Sequence, residues 1–332
     1  MNSTVKMSDI AKALNVSTVT VSKALSDKEG VGEELRQKIK DKAQEMGYKI
    51  SSVSKAMRTG RQNNIGILIA QRFLEEDSYY WSLYQNLLVE LSKKGYFGIL
   101  EIVDAKHEKE MITPRVILEN KVDAIIVVGQ LKRSYLKHIF TESGEKIMFL
   151  DFYDLEIPVS SVIADNYNGG YALTRYLIKQ GHQDIVYLGD IQATTSIMDR
   201  GMGYFKAMLD YRLNLRTEWY INDRNEEGFL IEPELPKVMP TAFVCNSDLA
   251  ARKLHKVLLE KGYRVPEDVS LVGFDNFPND HYQIGITTME VGRDKLAKSA
   301  IKVIDNILNG SNTLEKINLV VKLVEKQSVK AR

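Results

Sequence analysis

The chain has 332 residues, of which 44% are hydrophobic and 27% charged, with a formal net charge of +1. This length predicts two or three domains, since one domain usually takes about 100 to 200 residues. No apolar run reaches the roughly 20 residues of a membrane-spanning helix, and the N-terminal segment lacks the apolar core of a signal peptide, so we expect a cytoplasmic protein with no membrane partner.

The charge is unevenly distributed along the chain. Residues 1–61 contain 12 Lys plus Arg against 7 Asp plus Glu, a formal charge of +5, so the remainder carries −4. A basic segment attached to an acidic body is typical of a nucleic-acid-binding domain joined to a ligand-binding domain. Cys245 is the one cysteine of the sequence, which excludes an internal disulfide, and we expect it to be a small buried residue.

Three short helices are predicted in the first fifty residues. Apolar residues at helical spacing over 10–25 indicate two helices joined by a tight turn. Ser8 is a candidate cap for the first helix and Ser17 for the second, since each offers a side-chain oxygen to the free amides of the next turn. A third helix is predicted over 33–46. Two short helices joined in this way form a helix-turn-helix, whose core the third helix can close.

The second helix has a thin and largely polar outer face. Such a helix can enter the major groove of DNA, where hydroxyls bind phosphates or base edges and an apolar side chain contacts a thymine methyl group. The residues that we expect on this DNA-reading face are Thr18, Val19, Thr20, Ser22 and Lys23. The alternative is a solvated helix face that contacts no DNA.

The stretch over residues 5–61 closely resembles the DNA-binding headpiece of the lac repressor family, with VS, TVS, AL, GY and RTG in the same order. The resemblance implies that Thr18 and Val19 occupy base-reading positions. It also implies that the remaining residues of the DNA-reading face support or extend that contact. We further expect Ser8, Ser17 and Tyr48 to contact DNA.

Residues 52–62 form a Ser-rich, basic linker that is too short to be a stable helix by itself. In the family that the chain resembles, this segment folds on the operator as a hinge helix, pairs with the hinge of the second protomer and inserts a leucine into the minor groove. Met57 stands at that position here, and a methionine can still act as an apolar wedge. We therefore expect Ser54 and Met57 to contact DNA; the alternative for Met57 is an ordinary linker residue.

From residue 64 onward, apolar runs alternate with helical patterns, which is typical of parallel βαβ units. The predicted strands are 65–70, 97–103, 122–128, 146–150, 161–164, 184–189, 218–221, 241–245 and 269–274, with a closing strand in the run INLVVKLVEKQS. The predicted helices are 79–94, 108–120, 132–142, 167–180, 199–212, 247–262 and 292–308. Two similar halves of this kind enclose a cleft.

The predicted fold class is therefore α/β: a helix-turn-helix headpiece (1–51), a hinge helix and linker (52–62), and a two-lobed core of parallel-sheet subdomains like that of periplasmic binding proteins (63–332). We expect the first lobe in 63–163 plus 290–310 and the second in 164–289 plus 311–332. No leucine heptads extend the core, so we expect a homodimer rather than a tetramer.

Ligands collect at the C-terminal ends of parallel strands, and several predicted strands are followed by polar and aromatic residues. The candidate effector-binding residues of this kind are Asp77, Tyr79, Tyr80, Asp165, Asn246, Asp248, Asp275 and Phe277. Aromatic faces beside carboxylates and amides suit a polyhydroxylated ring, such as that of a sugar or a nucleoside.

The core also resembles the lac repressor family, in stretches that include DRGMGYF, PTAFVCNSDLAA and VPEDVSLVGFDN. The resemblance implies that Arg200 clamps effector oxygens and that Asp275 accepts effector hydroxyls, with Asp165 as a further carboxylate of the cleft. The alternatives are an interlobe salt bridge for Arg200, a turn cap for Asp275 and a helix N-cap for Asp165.

Two segments depart from the family pattern. Ser247 separates Asn246 from Asp248 where the family has adjacent Asn and Asp, so Asp248 either contacts the effector or caps the next helix. The loop AQRFLEEDSYYW is longer and more acidic than its counterpart, and Tyr79 and Tyr80 are either effector contacts or core anchors of the following helix.

The resemblance implies a transcriptional regulator that binds a pseudo-palindromic double-stranded DNA operator. We expect a repressor of carbohydrate-utilisation genes that a mono- or oligosaccharide releases; a purine or nucleoside corepressor is the alternative. An enzyme is disfavoured because GxGxxG and P-loop motifs are lacking and the five histidines show no metal or triad spacing, so we expect no catalytic residue, metal or cofactor. An exported solute-binding protein would need a signal sequence and no headpiece.

Overall fold

The structure is a computed structural model that describes residues 5–48, 60–74, 79–144, 146–277 and 284–332. The chain divides into two compact units, Met1–Gln62 and Asn63–Arg332. Within the described ranges, no helix is long and apolar enough to cross a membrane.

The N-terminal unit contains helices α1 (Met7–Leu14), α2 (Thr18–Ala24) and α3 (Glu33–Glu45). Its core is formed by inward-facing apolar side chains of all three helices, namely Ile10, Ala11, Val21, Ala24, Ile39 and Ala43. Asn15 adopts the left-handed conformation that ends α1, with a φ of 53°. The predicted helix-turn-helix and its third helix are confirmed.

One predicted cap in this unit is confirmed and the other is wrong. The Ser17 Oγ accepts a hydrogen bond from the Thr20 amide at 3.0 Å, as expected of an N-cap. Ser8 does not cap α1, because that helix already begins at Met7. The Asp9 carboxylate accepts a hydrogen bond from the Lys6 amide at 2.9 Å, which fixes the start of α1 at Lys6 and leaves Ser8 inside its first turn.

The C-terminal unit has two six-stranded sheets. In chain order the strands are β1 (Asn64–Ala70), β2 (Phe97–Val103), β3 (Ala124–Val128), β4 (Ile147–Leu150), β5 (Ser160–Ala164), β6 (Ile185–Leu188), β7 (Tyr220–Ile221), β8 (Ala242–Cys245), β9 (Ser270–Asp275), β10 (Thr287–Glu290), β11 (Lys316–Leu319) and β12 (Lys322–Val324). The first sheet has the order β11–β5–β4–β3–β1–β2 and the second β12–β10–β9–β8–β6–β7. All neighbours are parallel except β10 and β12.

Helices cover the faces of both sheets. They are α4 (Tyr79–Lys93), α5 (Ala105–Glu110), α6 (Arg115–Leu118), α7 (Arg133–Ser143), α8 (Asn166–Lys179), α9 (Thr195–Asp210), α10 (Asp248–Glu260) and α11 (Arg293–Leu308). Helix α11 returns to pack on the first sheet and on α4, whereas α8, α9 and α10 belong with the second sheet. The buried strands are almost continuously apolar, as is usual for parallel strands that are covered on both faces.

Several predicted boundaries are corrected. The predicted helix 108–120 is two short helices, because Met111 adopts a left-handed conformation and Pro114 starts a new helix. The strand predicted over 218–221 is reduced to two residues, and β10 was not predicted because its sequence, TTME, has no apolar run.

The closing run is also different from the expectation. It forms two strands, with β11 in the first sheet and β12 in the second, so the first lobe extends to residue 319 rather than ending at 310. The chain therefore passes between the lobes three times: after β5, after β10 and between β11 and β12. Three connecting segments allow the lobes to move relative to each other while remaining two parts of one unit.

Candidate functional site

In the N-terminal unit, α2 turns one face to its core and the opposite face to solvent. Val21 and Ala24 are buried, while Thr18, Val19 and Lys23 are exposed. The Val19 side chain is 63% exposed, although the unit has an apolar core of its own. An apolar side chain on an otherwise polar, exposed helix face is suited to contact a thymine methyl group.

The other predicted DNA-contacting residues vary in position. Ser17 is exposed at the cap of α2, and Thr20 and Ser22 are half-buried beside it. The hydroxyls of Ser17 and Thr20 are hydrogen-bonded to each other at 2.8 Å. Tyr48 packs against the core of the unit. Ser54 and Met57 lie outside the described residues, as does most of the predicted hinge over 52–62.

Sequence reasoning missed a buried arginine that supports this helical unit. The Arg36 guanidinium donates to the backbone oxygens of Lys28 at 2.9 Å and Val31 at 3.2 Å. These bonds fix the loop between α2 and α3. Because the loop follows α2 directly, Arg36 helps to position that helix.

In the C-terminal unit, a cavity of about 200 Å³ lies between the two lobes. The first lobe contributes Arg72, Phe73, Tyr79, Tyr80 and Asp151 to its lining. The second lobe contributes Thr194, Ser196, Ile197, Arg200, Arg224, Leu230, Asn246, Ser247, Asp248, Leu249, Arg252, Asp275 and Phe277. The lining segments, including α9 after β6, follow the C-terminal ends of strands, where parallel sheets place their ligands.

Arg200 lines this cavity and is buried. Its Nε donates to the Asn166 Oδ1 at 2.8 Å, and its Nη1 donates to the Asn246 carbonyl at 2.6 Å. The guanidinium lies 3.8 Å from the centre of the Phe274 ring, and its Nη2 is 3.6 Å from the Asp275 Oδ1. These contacts fix the plane of the guanidinium, which leaves donors of Nη1 and Nη2 for a ligand.

Three buried carboxylates, those of Asp151, Asp248 and Asp275, line the same cavity as Arg200. The Asp151 Oδ2 accepts a hydrogen bond from the Tyr80 hydroxyl at 2.9 Å, and the Asp248 Oδ2 accepts one from the Phe277 amide at 3.0 Å. Among the described residues, the Oδ1 atoms of Asp151, Asp248 and Asp275 have no partner within hydrogen-bond geometry, although Tyr79 and Thr288 lie close enough to lower the pKa of Asp151 and Asp248, respectively. Buried acceptors without partners are costly, so three of them in one cavity indicate a site for a ligand that donates hydrogen bonds.

Burial governs the protonation of these carboxylates. It raises the pKa of Asp151 to about 6, against the opposing effect of the Arg200 charge. Burial and the charge of Asp275 raise the pKa of Asp248 to about 7. The pKa of Asp275 is also raised by burial, again against Arg200. The protonation of the cavity therefore changes near neutral pH, and a bound hydrogen-bond donor would favour the ionised forms.

The backbone at the end of β9 is strained. Asp275 has a φ of 104° and Asn276 a φ of 44°, in a region that favours glycine. The Arg293 Nη1 donates to the Asp275 carbonyl at 3.2 Å, which helps to hold this conformation. Strain of this kind is concentrated at ligand-binding sites, where the surrounding structure maintains it.

The N-terminus of α9 connects the two lobes beside the cavity. The Ser196 Oγ donates to the Asp151 carbonyl at 2.5 Å, and the Thr195 amide donates to the Gln130 Oε1 at 2.7 Å. The Tyr153 hydroxyl, from the first lobe, donates to the Asp199 carboxylate at 3.1 Å. A ligand beside these contacts touches both lobes and can change how they are held together.

The structure brings most of the predicted effector-binding residues together. Those that line the cavity are Tyr79, Tyr80, Arg200, Asn246, Asp248, Asp275 and Phe277. Both tyrosines also pack on the core, so the two interpretations of these residues are compatible. Asp77 lies outside the described residues.

Asp165 is not among the residues that line the cavity. Its carboxylate caps α8 by accepting hydrogen bonds from the Asn168 amide at 3.4 Å and the Asn168 Nδ2 at 2.8 Å, so the N-cap alternative is confirmed. Asp248, in contrast, does not cap α10: the Ser247 Oγ does so by accepting from the Ala250 amide at 3.1 Å, which leaves the Asp248 carboxylate facing the cavity.

The alternative for Arg200 can also be resolved. The carboxylate nearest to Arg200 is that of Asp275, which belongs to the same lobe, so this ion pair does not join the lobes. The Asn246 Nδ2 donates to the Asp223 carboxylate at 2.5 Å and to the Leu188 carbonyl at 3.1 Å. Asn246 can therefore offer a ligand only its side-chain oxygen.

Sequence reasoning missed several lining residues. Asp151 directly follows the predicted strand KIMFL, so the position after a strand was a sufficient signal for it. Arg72 and Phe73 follow β1 in the same way. Arg224 lies in an irregular segment, and Arg252 lies within α10. No sequence signal placed either residue at the cavity.

Comparisons with known proteins agree with both units. A family profile described as bacterial regulatory proteins, lacI family, matches residues 6–51, and one described as a periplasmic binding protein-like domain matches residues 174–329. The HTH-type transcriptional repressor PurR of Klebsiella pneumoniae (strain 342) is 28% identical over 330 residues, which cover 97% of this chain and 96% of that protein.

Two solved structures share the fold. The structure of the lac repressor dimer bound to operator and the anti-inducer ONPF matches with a TM-score of 0.81 at 20% identity. The match covers 99% of this chain and 100% of the lac repressor chain. The structure of the transcriptional regulator CelR in complex with cellobiose matches with a TM-score of 0.69 at 20% identity. The match covers 98% of this chain and 99% of the CelR chain.

These relatives are transcriptional regulators and not enzymes. The family profile matches the helix-turn-helix unit, the second profile matches much of the two-lobed unit, and the similarity to a repressor extends over nearly the whole chain. Residues 6–51 therefore form a lacI-family helix-turn-helix, and the chain is similar over nearly its whole length to a transcriptional repressor that carries the same kind of unit.

Proposed function

We propose that this regulator is a repressor that a sugar, bound in the cavity between its lobes, releases from a pseudo-palindromic DNA operator. The observation that carries the proposal is the set of three buried carboxylate oxygens without hydrogen-bond partners in the cavity that Arg200 also lines. An ionised carboxylate only accepts hydrogen bonds, and a sugar offers many hydroxyl donors. Arg200 supplies donors for the ring and hydroxyl oxygens of the same ligand.

The aromatic part of the lining fits the same ligand. Phe73, Tyr79, Tyr80 and Phe277 provide apolar ring faces beside the carboxylates. The C–H face of a sugar ring stacks on an aromatic ring, while its hydroxyls bind polar groups at the edge. The cellobiose-bound regulator with the same fold supports a sugar as the class of effector.

A purine or nucleoside is the second candidate. The similarity to PurR along nearly the whole chain favours it, and a flat base could stack between the aromatic rings of the cavity. A purine base offers few N–H donors, however, so it would leave several of the partnerless carboxylate oxygens without hydrogen bonds. For this reason we place it second.

We propose that the DNA-binding form is a homodimer. Strand β2 is an edge of the first sheet, and it exposes 72% of Phe97 and 46% of Ile102, with Leu118 of α6 65% exposed. Helix α6 lies beside this strand, because the Arg115 amide donates to Glu101 of β2 at 2.7 Å. An apolar edge of this kind suits an isologous contact, which would present two helix-turn-helix units to two half-sites.

The proposed coupling depends on contacts that differ between lobe arrangements. An effector that touches Asp151 of one lobe and Arg200 of the other binds one arrangement of the lobes more tightly than another, so it shifts their equilibrium. We propose that this shift alters the segment over 52–62, where Met57 would act as the minor-groove wedge, and thereby lowers operator affinity. A shift of the opposite sign would make the ligand a corepressor.

The direct test is a thermal-shift screen of the purified chain against neutral monosaccharides, disaccharides, purines and nucleosides. A ligand that binds only the folded state raises the melting temperature by mass action. The Arg200→Met variant is the matched control, because any shift that arises in the cavity should disappear in it. Stabilisation by sugars supports the proposal, stabilisation by purines alone favours the second candidate, and a sugar shift that persists in the variant would refute the site.

A further inference from the structure

A second cavity, of about 270 Å³, adjoins the first. The two cavities share four lining residues: Arg72, Phe73, Thr194 and Arg224. The outer cavity is completed by Lys132, Asp190, Gln192, Ala193, Asn225, Glu226, Glu227 and Gly228. The two cavities are therefore adjacent, and the shared residues form the junction between them.

The junction is held in place by buried partners. Arg72 makes two hydrogen bonds to the carboxylate of the buried Glu108, at 2.5 and 3.3 Å, and a third to the Gln130 carbonyl at 2.9 Å. The Thr194 Oγ1 caps α9 by accepting from the Ile197 amide at 3.1 Å. These hydrogen bonds fix the side chains of Arg72 and Thr194 at the junction.

Arg224 provides an unused donor at the junction. Its Nη1 donates to the Gly228 carbonyl at 3.2 Å, but its buried Nε has no hydrogen-bond partner among the described residues. The nearest carboxylate oxygen, of Asp223, is 3.6 Å from that Nε, which is too long for a hydrogen bond. The Nε is buried, so a ligand oxygen reaches it only after neighbouring side chains shift, whereas the residue as a whole lines both cavities.

The far wall of the outer cavity is a formed turn that carries polar side chains. The Asn225 Oδ1 accepts hydrogen bonds from the amides of Glu227 at 3.1 Å and Phe229 at 2.9 Å, which fixes the turn. Lys132 and Gln192 also line this cavity and are exposed. The lining of the outer cavity mixes hydrogen-bond donors and acceptors, and Phe73 is the one aromatic residue of the described lining. A hydroxyl-rich group therefore fits this cavity better than an apolar group.

We propose that the effector is an oligosaccharide of at least two units, with one sugar ring in the inner cavity and a glycosidically linked ring in the outer one. The proposal rests on the sugar-responsive function proposed above and names the kind of sugar. The glycosidic linkage passes the junction, where Arg224 donates to an oxygen of the ligand. Lys132 and Gln192 bind hydroxyls of the second ring.

The test is isothermal titration of the full chain with matched pairs of sugars: glucose with cellobiose and maltose, and galactose with lactose and melibiose. We expect at least one disaccharide to bind about tenfold or more tightly than its monosaccharide, which corresponds to about 1.4 kcal/mol. The variant Lys132→Ala/Gln192→Ala should weaken that disaccharide about tenfold and change the affinity for the monosaccharide less than about twofold. Since both side chains are exposed, the melting temperature of the unliganded variant should match that of the wild type.

The double variant Lys179→Ala/Gln183→Ala removes the same pair of residue types at exposed positions that line neither cavity, and it should leave both affinities unchanged. Monosaccharides that bind as tightly as every disaccharide would overturn this inference and leave the sugar-responsive function intact. An equal loss of both sugars in the Lys132/Gln192 variant would also overturn it. Absence of binding by any sugar would overturn both.

Discussion

Replacing Arg200 by methionine should remove effector binding and destabilise the C-terminal unit in a pH-dependent way. Methionine keeps an unbranched side chain on α9 but deletes the guanidinium that donates to Asn166 and Asn246 and faces Asp275. Removing one partner of a buried ion pair costs about 3–5 kcal/mol, because the other charge is left without compensation. We expect a loss of this size at about pH 8, where the carboxylates are ionised.

The loss should become smaller as the pH falls. Arg200 lowers the pKa values of Asp151 and Asp275, so its removal raises both further above the value of an unfolded chain. The folded variant then takes up protons at higher pH than the wild type, and below about pH 3 the carboxyls are neutral in the folded and unfolded states alike. The difference in the free energy of unfolding between variant and wild type should therefore grow from acid to neutral pH.

Urea unfolding of both proteins across this pH range measures the effect, and titration with the sugar found in the screen measures binding. Effector affinity should fall by about thirtyfold or more, as expected when a buried charged contact is lost. The variant Arg200→Met/Asp275→Asn is the control: it should regain part of the stability at neutral pH but none of the effector affinity. A stability loss that does not depend on pH, or unchanged effector binding, would refute the reasoning.

Three further predictions follow from the same structure. Val19→Ala should weaken specific DNA binding by about 1–2 kcal/mol and leave the slope of affinity against salt unchanged, measured by fluorescence anisotropy; a changed slope would indicate a phosphate contact instead. Ser17→Ala should lower the thermal stability of the N-terminal unit by about 1 kcal/mol, since the cap of α2 is lost; unchanged melting would show that the cap contributes nothing. Effector affinity should fall as the pH is lowered, because the ligand hydroxyls bind the ionised forms of Asp151 and Asp248, whose pKa values are about 6 and about 7. In the Asp248→Asn variant the change of affinity near pH 7 should disappear. A wild-type affinity that is constant with pH would contradict this prediction.

The regular elements of the fold were largely predictable because their signals are local. Apolar runs marked most strands of the core, and helical spacing marked the three helices of the N-terminal unit. The failures have local physical causes too. The polar strand Thr287–Glu290 is held by its neighbours β9 and β12 rather than by an apolar sequence, and the break before Arg115 results from Met111 and Pro114.

The candidate site was predictable only in part, because position after a strand does not determine which way a side chain points. Asp165 and Asp275 both follow or end a strand, yet Asp165 turns to the amides of α8 while Asp275 faces the cavity. Asp151 could have been predicted by the same rule. The approach of Arg224 to the junction depends on an irregular segment whose path no periodicity encodes.

The most direct test of the account is the effect of the bound sugar on DNA binding by the full chain. Duplexes are first selected from a random library, and the affinity of the protein for the selected sequence is then measured with and without the sugar found in the screen, in the wild type and in Arg200→Met. The account predicts a pseudo-palindromic selected site and a loss of affinity of about tenfold or more with sugar in the wild type only. No enrichment of a sequence, or an affinity that the sugar leaves unchanged in the wild type, would contradict it.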